Sequence, residues 1–373
     1  MSLSAAGARR GPVGIGVIGA GVISKTYLEN LGGFADTHVL AIGDIVAEAA
    51  ASRAAEFGVP NHGGIDAVLR HDAVEIVVNL TTPAAHAEVA TNAILAGKHV
   101  FNEKPLTLDR ATGAKLLDAA ASAGLRIGCA PDTFLGSGLQ AARRLLDEGV
   151  IGTPLSALAL MQGRGPESWH PNPAFLFQDG AGPLFDVGPY YLTALVQTFG
   201  PVAAIASLGS RSREQRVVGS GPKAGEPFDV TVPTHVGSLA RFESGQSFQS
   251  IFSFDSAVSR TLLEINGTEG TLLMPDPNTF AGEIKVRRID GEDWELLEET
   301  TALSSRGTGV LDLARAIREN RPHRAQGALA YHVLDVMATA YESAESGEFL
   351  QVQSTVERAD LLPADWDPKE ATL

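Results

Sequence analysis

Residues 13–24 read VGIGVIGAGVIS, and the reading of this stretch decides the fold. The first seven residues form a continuous apolar run closed by glycine, the pattern of a strand buried on both faces of a parallel sheet. The run continues into Gly19-Ala20-Gly21-Val22-Ile23-Ser24, a G-x-G-x-x-S variant of the dinucleotide fingerprint. In such a motif Gly19 permits the tight turn and Gly21 lets the backbone approach a pyrophosphate at a helix N-terminus. Ser24 stands where a third Gly or Ala is usual and is still small enough for close helix packing. The motif is weak alone; here a strand precedes it and a helix pattern follows.

Working outward, THVLAIGD (37–44) is a second strand and AEAAASRAAEFG (47–58) an alanine-rich helix ended by Gly58. Asp44 closes that second strand, 25 residues beyond Gly19. A carboxylate there accepts hydrogen bonds from an adenosine ribose and repels a 2′-phosphate, and GDIVAEA carries no Arg or Lys beside it. The expected cofactor is therefore NAD, preferred over NADP; the competing role for Asp44 is a strand-end cap. AVEIVVNL (73–80), KHVFNEK (98–104) and LRIGCAP (125–131) read as further strands, with helices over 84–97 and 110–124 between them. Strands and helices alternating at this spacing predict a doubly wound parallel sheet, an α/β fold.

After Pro131 the character changes. An amphipathic helix over 135–152 leads into a strand, TPLSALALMQ, and then 166–191 reads as a loop rich in Pro, Asn and aromatics. Residues 228–275 hold strand segments divided by turn signals, predicting a mainly antiparallel open sheet, and two helices follow near 308–320 and 325–346. The expected layout is a flexible N-terminus (1–12), a dinucleotide-binding Rossmann domain (13–132), an α+β substrate-binding and oligomerisation domain (133–360), and a loose acidic tail (361–373).

With 44 acidic against 29 basic residues, the formal net charge is −15, which argues against nucleic acid or an anionic membrane as partner. Cys129 is the single cysteine, so no intrachain disulfide or cysteine-rich zinc site can form; its flanks suit a small buried hydrophobe. The nine histidines show no metal-ligand spacing, and no metal is expected. No apolar run reaches the ~18–20 residues of a membrane span, and the N-terminal residues lack a signal peptide's apolar stretch. The expected location is the cytoplasm.

One stretch asks for chemistry. In VFNEKPLTLD (100–109), Pro105 stops a strand's hydrogen-bond ladder and leaves Lys104 at its carboxyl end, where open α/β sheets bind ligands. Taken with TTPAAH (81–86), GKHVFNEKP (97–105) and DVGPYY (186–191), the chain from about 13 to 350 closely resembles the glucose–fructose oxidoreductase / inositol dehydrogenase / rhizopine-catabolism (Gfo/Idh/MocA) family.

The resemblance implies that Glu103 contacts the cofactor, that Lys104 contacts the substrate hydroxyl, and that Pro105 holds a strained turn. It puts Thr81, Thr82 and Pro83 near the ribose and nicotinamide, with His86 beside them; His86 could equally be a packing residue at a helix start. The family's second motif is an aspartate followed four positions later by histidine, on a helix of the second domain. Here these are Asp186 and Tyr190. Histidine, titrating near ~6.5, takes a proton readily at neutral pH; tyrosine, near ~10, does not. Some members, glucose–fructose oxidoreductase among them, carry tyrosine at this place. Tyr190 is then either the proton acceptor or a substrate contact beside a Lys104–Asp186 shuttle. Tyr191 points elsewhere and is expected in the core.

For substrate binding, Trp169 offers a platform for a sugar face, His170 and Asn172 offer hydrogen bonds, and Arg164 could meet a carboxylate or hydroxyl. His235 lies on a sheet strand and either lines the cleft or plays a structural part. The implied activity is NAD-dependent hydride transfer to or from a secondary alcohol of a sugar, polyol or glycoside, by a homo-dimer or homo-tetramer. Two alternatives stand beside it: an NAD-dependent glycosidase using transient oxidation, and a non-enzymatic sugar or cofactor sensor.

Overall fold

The computed structural model describes residues 10–373. Of the expected flexible N-terminus, residues 1–9 lie outside the described residues. The first unit runs β1 (Val13–Ile18), α1 (Val22–Leu31), β2 (Thr37–Gly43), α2 (Ala47–Phe57), β3 (Asn61–Gly63), α3 (Asp66–Leu69), β4 (Ile76–Asn79), α4 (His86–Leu95), β5 (His99–Asn102), α5 (Arg110–Ser122) and β6 (Ile127–Cys129). Every residue of β1 is buried, as its unbroken apolar run requires. The six strands are parallel in the order β3-β2-β1-β4-β5-β6. The direction of winding reverses between β1 and β4, so a crevice opens at their carboxyl ends. The short β3 and α3, between α2 and β4, carry no apolar periodicity that announces them.

The second unit runs α6 (Ser137–Asp147), β7 (Pro154–Gln162), α7 (Gly182–Phe199), β8 (Val202–Ser210), β9 (Gln215–Val217), β10 (Pro227–Asp229), β11 (His235–Phe242), β12 (Ser247–Ser253), β13 (Arg260–Gly267), β14 (Gly270–Leu273), β15 (Gly282–Arg288), β16 (Glu295–Thr300), α8 (Thr308–Glu319), α9 (Gly327–Ser346) and β17 (Leu350–Gln351). Its nine-stranded sheet has the order β16-β15-β14-β13-β7-β12-β11-β8-β17, with only the β7–β12 pair parallel. A separate ribbon pairs β9 with β10.

Two expectations need correction. Residues 182–191, whose composition reads as loop although the resemblance puts Asp186 and Tyr190 on a helix, are the first half of α7. Pro183 sits in the first turn, where its missing N–H is no loss, but Pro189 lies inside the helix. Burial outweighs the breakers: nearly all of α7 is sequestered between the large sheet and α9, and a helix apolar on all sides belongs in a core. The tail is not loose either. The Leu362 N–H donates to Gln140 Oε1 at 2.7 Å, Arg315 donates to the Glu370 carbonyl at 2.7 Å, and the Thr372 and Leu373 N–H groups donate to Asp36 Oδ1 at 3.0 and 3.1 Å. Local composition could not show these partners, which lie 55 to 337 residues away.

Candidate active site

The crevice is built from strand ends. Gly19, with φ +106°, donates its N–H to the Gly43 carbonyl at 2.8 Å. A Cβ at Gly19 would stand 2.6 Å from the Leu80 carbonyl group, so only glycine allows this turn to pass β4. Gly21 precedes the first turn of α1, and a Cβ there would meet nothing within 4 Å. The backbone is thus bare where a pyrophosphate would approach a helix N-terminus. Asp44 Oδ2 accepts the Ala20 N–H at 2.7 Å and Oδ1 the Val46 N–H at 2.8 Å. The acid caps the turn, and each oxygen keeps a lone pair for a further donor. Ile23 lines the cavity beyond, whereas Val22 is exposed on the first turn of α1. These residues fit a dinucleotide.

At the end of β4, buried Asn79 donates to Asn102 Oδ1 at 3.0 Å and accepts the Thr81 hydroxyl at 2.6 Å, which fixes the start of the Thr81-Thr82-Pro83 segment. Those three residues line the cavity. His86, expected beside the cofactor, is not among the residues that line the cavity. The ring is fully buried, with Nδ1 2.7 Å from the Pro105 carbonyl and Nε2 3.1 Å from that of Thr81, and burial lowers its pKa. It links the two cavity-lining segments from beneath.

Beyond β5, the Glu103 N–H continues the ladder by donating to the Asn79 carbonyl at 2.9 Å. Its carboxylate accepts the Tyr27 hydroxyl at 2.7 Å and the Lys104 N–H at 3.0 Å. The Lys104–Pro105 peptide is cis. Lys104 Nζ crosses to the second unit and donates to Asp186 Oδ1 at 2.6 Å and to the Asp186 carbonyl at 2.7 Å, 5.5 Å from the centre of the Tyr190 ring. Burial alone would lower the lysine's pKa; the adjoining Asp186 carboxylate and Tyr190 outweigh it and hold the ammonium above its ordinary value.

Sequence reasoning missed Arg306, in the link between β16 and α8, where SSRG offers no motif. Its Nη2 donates to the Tyr190 hydroxyl oxygen at 3.2 Å and to Asn278 Oδ1 at 2.8 Å. The link is held by Asp132, whose Oδ2 accepts the Gly307 and Gly309 N–H groups, both at 2.9 Å. Burial pushes the Asp132 carboxyl up to about 6 despite those bonds and the nearby Arg306 cation. Tyr191 lies in the core as expected, donating to the Leu160 carbonyl at 3.2 Å.

These groups surround a cavity of about 620 Å³. Trp169 and His170 line it, as do Phe175, Gln178 and Asp179, which the sequence did not single out. Arg164 lies on an adjoining groove that shares Trp169 and Asp186 with the cavity. Two expected substrate contacts are placed elsewhere. Asn172 is exposed, its N–H turned back to His170 Nδ1 at 3.0 Å; His235 is taken up by Ser253 Oγ, 3.0 Å from its Nδ1 on the paired strands β11 and β12. The loop bearing Trp169 is anchored by Arg216, which is buried against the carboxylates of Glu167 and Asp255 and over the Phe177 ring. No cluster of three or more His, Cys, Asp or Glu suited to a metal ion occurs among the described residues. Nor is any described helix long and apolar enough to cross a membrane.

Residues 13–130 match the family model described as oxidoreductase family, NAD-binding Rossmann fold, and residues 139–273 match the Gfo/Idh/MocA C-terminal domain. The chain belongs to the Gfo/Idh/MocA family. It is an NAD-binding oxidoreductase with a six-stranded parallel sheet and a mixed, mainly antiparallel second sheet. Among similar Gfo/Idh/MocA proteins, the 1,5-anhydro-D-fructose reductase of Ensifer adhaerens is 26% identical over 285 residues, 74% of this chain and 80% of its own length. The levoglucosan dehydrogenase of Pseudarthrobacter phenanthrenivorans is 27% identical over 291 residues, 69% of this chain and 72% of its own. A solved levoglucosan dehydrogenase, in complex with NADH and levoglucosan, superposes with a TM-score of 0.78 over 92% of this chain and 99% of that one; at 22% identity this is a likeness of fold.

Proposed function

We propose that this chain is an NAD-dependent dehydrogenase that transfers hydride between nicotinamide and a secondary alcohol of a sugar, polyol or glycoside. One observation carries the reading. The Lys104 ammonium stands at the carboxyl end of a Rossmann strand and is tied across the crevice to Asp186, in a cavity that both units line. The reductase and dehydrogenase named among its relatives act on sugar derivatives, which supports the substrate class.

NAD, when bound, supplies the hydride acceptor. Gly19, Ala20, Gly21, Val22, Ile23, Asp44, Thr81, Thr82, Pro83 and Glu103 are assigned to holding it, and Asp44 favours NAD over NADP by repelling a 2′-phosphate. Lys104 donates a hydrogen bond to the substrate hydroxyl oxygen. As the carbinol C–H bond breaks, the Lys104 ammonium gives a proton to Asp186 and its freed lone pair takes the hydroxyl proton; reduction of a ketone runs the relay backwards. The 2.6 Å Nζ–Oδ1 contact gives that proton a direct path. Tyr190, whose oxygen is engaged by Arg306, is assigned to binding and orienting the reacting hydroxyl. Trp169, His170 and Arg164 are placed as substrate contacts.

We divide the chain into a dinucleotide-binding domain over 13–132 and a substrate domain over 133–360. The large sheet turns Leu208 and Leu239 to solvent on the face opposite α7, which supports a homo-dimer or homo-tetramer formed through that face. Purified protein mixed with NAD⁺ and a panel of sugars, inositols and glycosides should form NADH, and Lys104→Ala should abolish the signal. No NADH from any member, with NAD binding shown by calorimetry, would overturn the reading.

A further inference from the structure

Lys104, Asp186, Tyr190 and Glu103 come together at one end of the cavity, and Gln178 and Asp179 add polar groups to its lining. The rim is different. Trp169 and Phe175 are 68% and 42% exposed, yet they are not loose. Trp169 packs edge-on to His170 and His170 edge-on to Phe175, each pair 5.6 Å apart, so three rings form one wall. Leu108 and Leu176 continue that lining. Trp169 also borders the adjoining groove of about 480 Å³, where Met161, Val187, Phe254 and Ala257 supply apolar surface beside the polar Arg164, Ser168 and Ser259. Because Trp169 and Asp186 border both spaces, the groove begins beside the group that meets Lys104. Arg216, paired with Glu167 and Asp255, ties the base of the aromatic loop to β9 and to the segment after β12.

A free polyol or small monosaccharide held at Lys104 and Asp186 leaves the Met161, Val187 and Phe254 side of the adjoining groove unfilled. A two-part molecule uses both regions. From this we infer that the preferred substrate is a glycoside with an aromatic aglycone, its sugar ring at Lys104 and Asp186 and its aglycone against Trp169 in the adjoining groove. The inference deepens the oxidoreductase reading and rests on it. The reaction stays balanced as before: the alcohol loses hydride to the nicotinamide cofactor and a proton to the Lys104–Asp186 pair, and the glycosidic bond is untouched.

The test uses methyl and phenyl glycosides of glucose, galactose and xylose in both anomers, with cellobiose and the free sugars, each assayed for NADH formation. For at least one sugar, kcat/KM should favour phenyl over methyl by roughly tenfold to a hundredfold. Ser259→Trp, which fills the groove from an exposed position, should bring that ratio close to one. Equal rates for phenyl and methyl glycosides, or a higher rate for cellobiose or the free sugar, overturn the aromatic aglycone and leave the dehydrogenase reading intact. If no sugar is oxidised, calorimetry of the NAD-loaded protein separates the two. Tighter binding of phenyl than methyl glycosides sustains the groove while the redox reading fails, and equal or absent binding overturns the groove as well.

Discussion

On one side of the cavity, Glu103 and Lys104 stand directly beyond β5, held by backbone ladder bonds and by the buried Asn79, Asn102 and His86 beneath them. On the other side, Trp169 and His170 ride a long loop whose anchor, Arg216, comes from β9, some fifty residues further along the chain. The first wall is an extension of regular structure, and its side chains point where strand geometry sends them. The second is irregular and stays in place because one buried cation satisfies two carboxylates. Chemistry that must be placed to a fraction of an ångström sits on the first; recognition, which differs from one substrate to another, sits on the second.

Replacing Lys104 with alanine should break the first wall's chemistry outright, lowering kcat by ~10²–10⁴-fold, the usual weight of a positioned proton-transfer group. NAD affinity measured by calorimetry should change far less. Arg216→Ala tests the second wall. It removes a buried cation from beside half-buried Glu167 and the more exposed Asp255 and should cost roughly 3 kcal/mol in urea denaturation, two charged hydrogen bonds at ~1.5 kcal/mol each. Among molecules that still fold, KM should rise more than kcat falls, and Arg216→Lys should recover part of both.

Asp132 holds the link that carries Arg306 to Tyr190, and its effect should depend on pH. Its folded-state carboxyl is raised from 3.8 to about 6, so the folded chain holds this proton more tightly than the unfolded chain does. The stability this contributes is full below pH ~4 and is lost as pH rises through about 6, up to roughly 3 kcal/mol at 1.36 kcal/mol per unit. Asp132→Asn keeps an oxygen to accept the Gly307 and Gly309 N–H groups. Its stability relative to the parent should therefore climb between pH 4 and 7 in denaturant titrations. The smallest effect is expected at Asp44. Asp44→Ala should weaken NAD binding by ~1–2 kcal/mol while improving the relative affinity for NADP, read by calorimetry with the two cofactors in turn.

The parallel sheet, the fingerprint turn and the Glu103-Lys104-Pro105 strand end were legible because each depends on residues adjacent in the chain: an apolar run, a glycine at positive φ, a proline that ends a ladder. The pairing of Lys104 with Asp186 could be named only through resemblance, since nothing local links residues 82 apart. Four readings met tertiary facts that local pattern does not contain. His86 is an internal link because β4 and β5 close over it. Asn172 and His235 turn to neighbours on their own loop or sheet. Residues 182–191 form a helix despite Pro189 because α7 is enclosed on nearly all sides, and burial of that apolar surface outweighs a lost hydrogen bond.

The sequence by itself determined the elements of the first unit other than β3 and α3, and the places where its longer strands stop, because period, glycine and proline act over a few residues. Only the tertiary structure decided that Arg306 meets Tyr190, that Arg216 holds the aromatic loop and that the acidic tail is strapped to Asp36. Those contacts join charged or polar groups far apart in the chain, and a charge carries no mark of its partner until folding brings the two together.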